Sequence, residues 1–111
     1  MAAPMREPTF WILTALAAEP RHGYGVIQEA AALSGGRVTL QAGTLYAALD
    51  RLAREGLIEA VREEIVNGRP RQYYALTPSG TAALHAEADR MAKAARLVTG
   101  RRAPRRAVRY A

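Results

Sequence analysis

The sequence predicts a mainly α-helical domain with one small β-hairpin, a winged helix-turn-helix whose first and last helices serve dimerisation. Three observations predict it. Between Gln41 and Glu55, the residues Leu45, Leu49 and Leu52 recur at i, i+4 and i+7, the spacing of one buried helix stripe. From Leu57 to Val66 apolar and charged residues mix with a period near two. Asn67-Gly68-Arg69-Pro70 then signals a turn, and Arg71 to Leu76 returns as a second strand. Thr77-Pro78 opens a long final helix, with Thr as N-cap and Pro at the first helical position.

Taken in order, Thr9 to Ala18 reads as a first helix, apolar on nearly every side. A helix of that kind must be covered all round, and a small domain rarely suffices, so a second copy is the expected cover. Glu19-Pro20 stops it, because the residue before proline is driven out of helical conformation. Arg21-His22-Gly23 reads as a turn and Tyr24 to Leu33 as a second helix, with Tyr24, Ile27 and Ala31 at helical spacing. Ser34-Gly35-Gly36 ends that helix. Arg37 to Leu40, with β-branched residues, is compatible with a short strand. In the third helix Asp50 and Arg54 form an i, i+4 pair on the wet side, and Gly56 stands where a C′ residue is needed. The last helix spans Pro78 to about Val98 and ends at Gly100. Its stripe is Leu84, Ala88, Met91, Ala95 and Val98, and the alanines permit close helix approach. Residues 1–100 are read as one domain. Residues 101–111 are read as an Arg-rich tail, expected to stay disordered until it meets something acidic.

Composition narrows the function classes. The chain has no Cys, hence no disulfide framework, thiolate metal site or thiol nucleophile, and two His give no zinc cluster. No nucleophile–base pair and no Gly-rich phosphate loop stand out, so neither an enzyme nor a cofactor is expected. MAAPMREP does not open a signal peptide, and the longest apolar stretch, Phe10 to Ala18, is too short to span a membrane, so a cytoplasmic protein is expected. Net charge is +6, from 16 basic and 10 acidic residues. Five of the basic residues are Arg101, Arg102, Arg105, Arg106 and Arg109; without them the body is nearly neutral. Nucleic-acid binding must therefore rest on where charge is placed.

That placement is favourable. A helix-turn-helix inserts the second of its two helices in the major groove, here Gln41 to Glu55. Its first turns hold Gln41, Ala42, Gly43, Thr44 and Ala47, small or polar residues that let a helix end approach DNA. Thr44 and Tyr46 offer hydroxyls to phosphate oxygens. Gln41 suits an adenine edge, and Arg51 a guanine or a phosphate. The hairpin tip presents Gly68, Arg69 and Arg71 to flanking phosphates; of Tyr73 and Tyr74, which point to opposite sides of a strand, one is expected in the core and the other, taken as Tyr73, at the DNA. Two readings of Tyr46 stay open, packing between helix and wing or phosphate contact. His22 is read as a turn and capping residue, and His85 as a solvated helix residue.

The sequence resembles the PadR-like transcriptional regulators. The resemblance rests on HGYG (His22 to Gly25), GTLYAALDRLAREGLI (Gly43 to Ile58) and GRPRQYYALTPSG (Gly68 to Gly80), behind the apolar opening, and covers Thr9 to Gly80. It implies a winged helix, usually a homodimeric repressor, often released by a small molecule, with DNA contacts at Thr44, Tyr46 and the basic wing tip. It also implies a short member, whose single C-terminal helix pairs across the dimer with the first helix. Ala47 departs from the pattern, since many relatives carry Pro there, and the Arg-rich tail lies outside it.

The expected partners are therefore double-stranded DNA and a second copy of the chain. The dimer residues are expected to be Phe10, Trp11, Leu13 and Leu16 of the first helix with Leu84, Ala88, Met91, Ala95 and Val98 of the last. Phe10, Trp11 and Met91 have two readings, dimer core or the lining of a pocket for a flat aromatic or hydrophobic effector.

Overall fold

The computed structural model describes residues 5–101. The elements run α1 (Glu7–Ala17), β1 (Arg21–His22), α2 (Gly23–Leu33), α3 (Ala42–Arg54), β2 (Ile58–Val66), β3 (Arg69–Leu76) and α4 (Pro78–Gly100). The fold is mainly helical, with a small three-stranded antiparallel sheet in the order β1-β3-β2. Of the Arg-rich tail only Arg101 falls among the described residues.

α1 starts two residues before the expected Thr9, because Pro8 sits in the first turn, where a missing N–H costs no helical bond. After the helix, Arg21 turns back: its Nε donates to the Ala15 carbonyl at 2.7 Å and its Nη2 to Glu29 at 3.1 Å. That tether satisfies a C-terminal carbonyl of α1 and fixes where β1 begins.

Arg21-His22, expected as a turn, is a two-residue strand pairing with Tyr74 and Tyr73 of β3. His22 is also the N-cap of α2, its Nδ1 accepting the Gly25 N–H at 3.1 Å. Arg37 to Leu40 is not a strand, for it has no strand to pair with. Ser34 Oγ accepts the Val38 N–H at 3.0 Å, the Val38 side chain is buried, and Leu40 packs against the core.

α3 buries the predicted stripe, Leu45, Leu49 and Leu52, completely. Each contributes about 1.5–3 kcal/mol by leaving water. They pack with Ile12, Leu13, Leu16, Val26, Ile58 and Leu84. The Asp50–Arg54 pair forms at 2.6 Å on the exposed side. Gly56, with φ +77, turns the chain into β2.

The hairpin closes on Asn67-Gly68, both at positive φ (52° and 75°), the two-residue turn that matches strand twist. Pro70, expected in the turn, lies within β3 opposite Ile65. β1 reaches only Tyr73 and Tyr74, so the far side of β3 is unpaired at Pro70 and tolerates the missing N–H. A register shift between Ala60 and Arg62 bulges β2 at Val61.

At the join to α4, Thr77 Oγ1 caps the helix by accepting the Gly80 N–H at 3.0 Å and donates to the Gly56 carbonyl at 2.6 Å. Gly80 packs directly on the Leu57 carbonyl, where a β-carbon has no room. α4 leaves the body after Glu87: every residue from Ala88 to Gly100 is exposed, about 20 Å of unaccompanied helix.

Candidate nucleic-acid interface

α3 presents its first turns to solvent. Gln41, Ala42, Gly43, Thr44, Tyr46 and Ala47 are all exposed. Gln41 occupies the N-cap without making a side-chain capping bond, and no acidic residue lies in the first turn. The first backbone N–H to find a helical acceptor is that of Leu45, bonded to the Gln41 carbonyl. The N–H groups of Ala42, Gly43 and Thr44 thus point outward at the positive end of the helix, an arrangement suited to a phosphate. A β-carbon on Gly43 would meet nothing within 4 Å, so no packing demands glycine there and its smallness keeps the surface low.

Beside this face, between α2, α3 and the wing, runs an open cleft of about 640 Å³. His22, Tyr24 and Tyr46 line one part; Val66, Asn67, Arg69, Pro70, Arg71 and Gln72 line the rest. The lining includes no carboxylate, and Arg69 and Arg71 give it a positive wall. The Arg71 guanidinium is close enough to add to burial, the larger cause, in holding the His22 imidazole below its ordinary pKa. A neutral His22 is what the Nδ1 cap requires.

The residues expected to touch DNA therefore divide. Gln41, Gly43, Thr44, Tyr46, Ala47, Gly68 and Arg69 are exposed around the α3 face and the wing tip, and half-buried Arg71 lines the cleft. Tyr46 reconciles its two readings: its ring rests on Gly23, yet it is 52% exposed. Two residues are placed otherwise. Arg51 donates to Thr9 Oγ1 at 3.1 Å and to Glu55 at 3.4 Å, bracing α3 against α1. Tyr73 donates its hydroxyl to Glu64 at 2.8 Å, meets His22 edge-to-face at 5.2 Å, and lies under the Arg62 guanidinium at 3.7 Å. It fastens the wing to the start of α2. Tyr74 is the inward tyrosine; burial, then Tyr46 and Asp50 nearby, raise its phenol pKa.

Sequence reasoning missed Tyr24. It reads only as part of the helical spacing with Ile27 and Ala31, yet it is 61% exposed and lines the cleft. Its place in the first turn of α2, where the stripe runs out past the core, is the signal that could have shown it.

The expected dimer residues also divide. Leu13 (0% exposed), Leu16 (3%) and Leu84 (6%) are inside this protomer's own core and have no surface to offer a partner. Within the protomer α1 packs against α2, α4 and β3, and Phe10, Trp11 and Thr14 stay partly exposed. Ala88, Met91, Ala95 and Val98 do form an exposed stripe on α4. Phe10 and Trp11, half-buried and edge-to-face at 5.1 Å, line with Met91 one cavity of about 310 Å³. Its polar rim is Glu7, Arg37, Glu87 and Arg90. The Glu7 carboxylate accepts hydrogen bonds from Trp11 Nε1 at 3.1 Å and from Arg37 Nη2 at 2.9 Å. Buried Glu87 is chelated by Arg90, which holds its carboxyl below the ordinary range.

A helix-turn-helix followed by a β-hairpin wing defines a winged-helix protein. Residues 12–86 match the transcriptional regulator PadR-like family, and the chain belongs to it. It is 38% identical over 79 residues to the transcriptional regulator Rv3488 of Mycobacterium tuberculosis, covering 71% of this chain and 70% of that one. Among solved structures, a PadR family regulator of Clostridium difficile R20291 shares the fold, with a TM-score of 0.71, 22% identity, and coverage of 86% of this chain and 97% of that one. Bacillus subtilis PadR, solved in complex with operator DNA, is similar with a TM-score of 0.64 and 27% identity. That match covers 72% of this chain and 45% of the other. The family is one of transcriptional regulators. Among the described residues, no helix is long and apolar enough to cross a membrane.

Proposed function

We propose that this protein is a sequence-specific DNA-binding transcriptional repressor acting as a homodimer. The observation that carries the reading is the bare, acid-free first turn of α3 set beside the Arg69 and Arg71 wall of the wing. α3 enters the major groove, where Gln41 and Thr44 reach base edges and phosphates, and each wing tip lies on the flanking backbone. The operator complex of Bacillus subtilis PadR supports this docking by likeness of fold.

Two copies pair through the Ala88, Met91, Ala95 and Val98 stripe of α4, with Phe10 and Trp11 at its edge. Two-fold symmetry then calls for a pseudo-palindromic operator with half-sites about 34 Å apart. Val98 is 75% exposed, so Val98→Asp leaves the protomer folded and yields a monomer in sedimentation. The cavity of Phe10, Trp11 and Met91 takes a small aromatic effector that favours a different spacing of the two α3 helices and releases DNA. Trp11 fluorescence, titrated with a panel of planar aromatics, tests this; no response from any, with DNA binding intact, rejects it.

The deciding experiment is a titration into labelled duplex from upstream of the protein's own gene, with shuffled duplex as competitor, at physiological salt. A preference of about a thousandfold supports a regulator. Equal, weak binding to both, followed by a genome-wide selection that enriches no sequence, overturns specific recognition.

A further inference from the structure

Two tyrosines of the described body are exposed, Tyr24 and Tyr46; the Tyr46 ring is keyed to Gly23, and Tyr24 is the more exposed of the two. Tyr73 has given its hydroxyl to Glu64, and Tyr74 is packed against the core. Tyr24 is mostly exposed, and among the described residues its hydroxyl has no hydrogen-bond partner. Its ring lies outside the hydrophobic core cluster.

Tyr24 lines the cleft with Tyr46, while Arg69 and Arg71 form the wall contributed by the wing, and no carboxylate lines the space. A DNA strand running along the groove edge from α3 to the wing would pass this cleft. A hydroxyl donor on one side and guanidinium groups on the other suit one phosphate, whose non-bridging oxygens accept from both. The donor is also held in advance. Tyr24 is the second residue of α2, whose start is fixed by the His22 cap and by the pairing of β1 with β3. Its ring has only two torsions to order on binding.

We propose that Tyr24 is a backbone anchor, donating its hydroxyl to a phosphate of the DNA strand that lies in the cleft opposite Arg71. The inference rests on the DNA-binding reading of the same face. A contact of this kind carries no base information, so it strengthens binding to every sequence alike.

The test compares the full chain with Tyr24→Phe, which keeps ring and helix and removes only the hydroxyl. Both are titrated into labelled upstream duplex and into shuffled duplex over a range of salt. The expected result is a loss of about tenfold on both duplexes. The salt slope stays unchanged, because no cation is removed. A scan of single methylphosphonate substitutions then finds a position that weakens the wild type and costs Tyr24→Phe nothing further. The proposal is overturned if Tyr24→Phe binds as the wild type does, or if every methylphosphonate weakens both proteins equally. Should the wild type bind neither duplex, the DNA-binding reading fails and takes this one with it. Wild-type binding with an indifferent Tyr24→Phe removes the anchor alone.

Discussion

A β-carbon on Gly23 would lie 2.5 Å from the hydroxyl oxygen of Tyr46 and 2.7 Å from its Cζ, so the Tyr46 ring rests on the first turn of α2. The two helices of the helix-turn-helix are thereby keyed to each other at the edge of the DNA face. Because Tyr46 is half exposed, its ring, rather than the backbone, gives way to an added methyl. Gly23→Ala is therefore expected to be neutral or destabilising by up to about 1 kcal/mol in the wild type. In a Tyr46→Ala background the same change stabilises by about 0.5–1 kcal/mol, the usual preference for Ala within a helix. Urea unfolding of the four proteins measures the cycle, and additive effects would show that the two residues are not coupled.

Gly80 meets backbone rather than a flexible side chain. A β-carbon there collides with the Leu57 carbonyl, and Leu57 cannot withdraw, since its carbonyl also accepts the Thr77 N–H at 3.1 Å. Gly80→Ala is expected to destabilise by about 2–4 kcal/mol despite better helix propensity. A melting temperature equal to that of the wild type would contradict the close approach.

Leu49 is completely enclosed among the core leucines. Leu49→Ala should cost about 2–5 kcal/mol through lost burial and the cavity left behind. Arg51→Ala, two residues later in the helix, should cost no more than about 1 kcal/mol and leave DNA affinity nearly unchanged, because its partners are Thr9 and Glu55. A large loss of affinity in that variant would return Arg51 to the DNA contacts.

Acid should weaken the fold through His22. Its folded pKa lies below that of an ordinary imidazole, chiefly through burial and then Arg71. As pH falls, the unfolded chain takes up the proton first. The contribution is therefore full above about pH 6.5 and is lost as pH drops from there through the depressed folded value. Unfolding free energies of the wild type and His22→Asn between about pH 7.5 and 5 should diverge in slope, since Asn caps without titrating. Parallel curves would exclude His22 as the source.

The wing arginines are testable separately. Arg69→Ala and Arg71→Ala should each weaken binding to specific and unrelated duplexes alike and reduce the salt slope by about 0.9 per lost phosphate contact. An unchanged slope in both would place the wing away from the backbone.

Local signals were enough for most of the architecture. The leucine stripe of α3, the Asn67-Gly68 turn and the Thr77-Pro78 start each depend on neighbours within a few residues, so periodicity and backbone preference reveal them. The bare first turn of α3 was legible for the same reason. What the tertiary structure alone decided are matters of contact between distant segments. A two-residue strand such as Arg21–His22 has no period to read; it exists because β3 passes beside it. The bonds of Arg51 to Thr9 and of Tyr73 to Glu64 join segments far apart in sequence, and the exposure of Tyr24 depends on where the start of α2 sits against the rest of the body. Leu13 and Leu16 looked available to a partner because α1 is apolar on so many sides. Composition says how much of a helix must be covered. Only the packing of α2, α4 and β3 around it says by what.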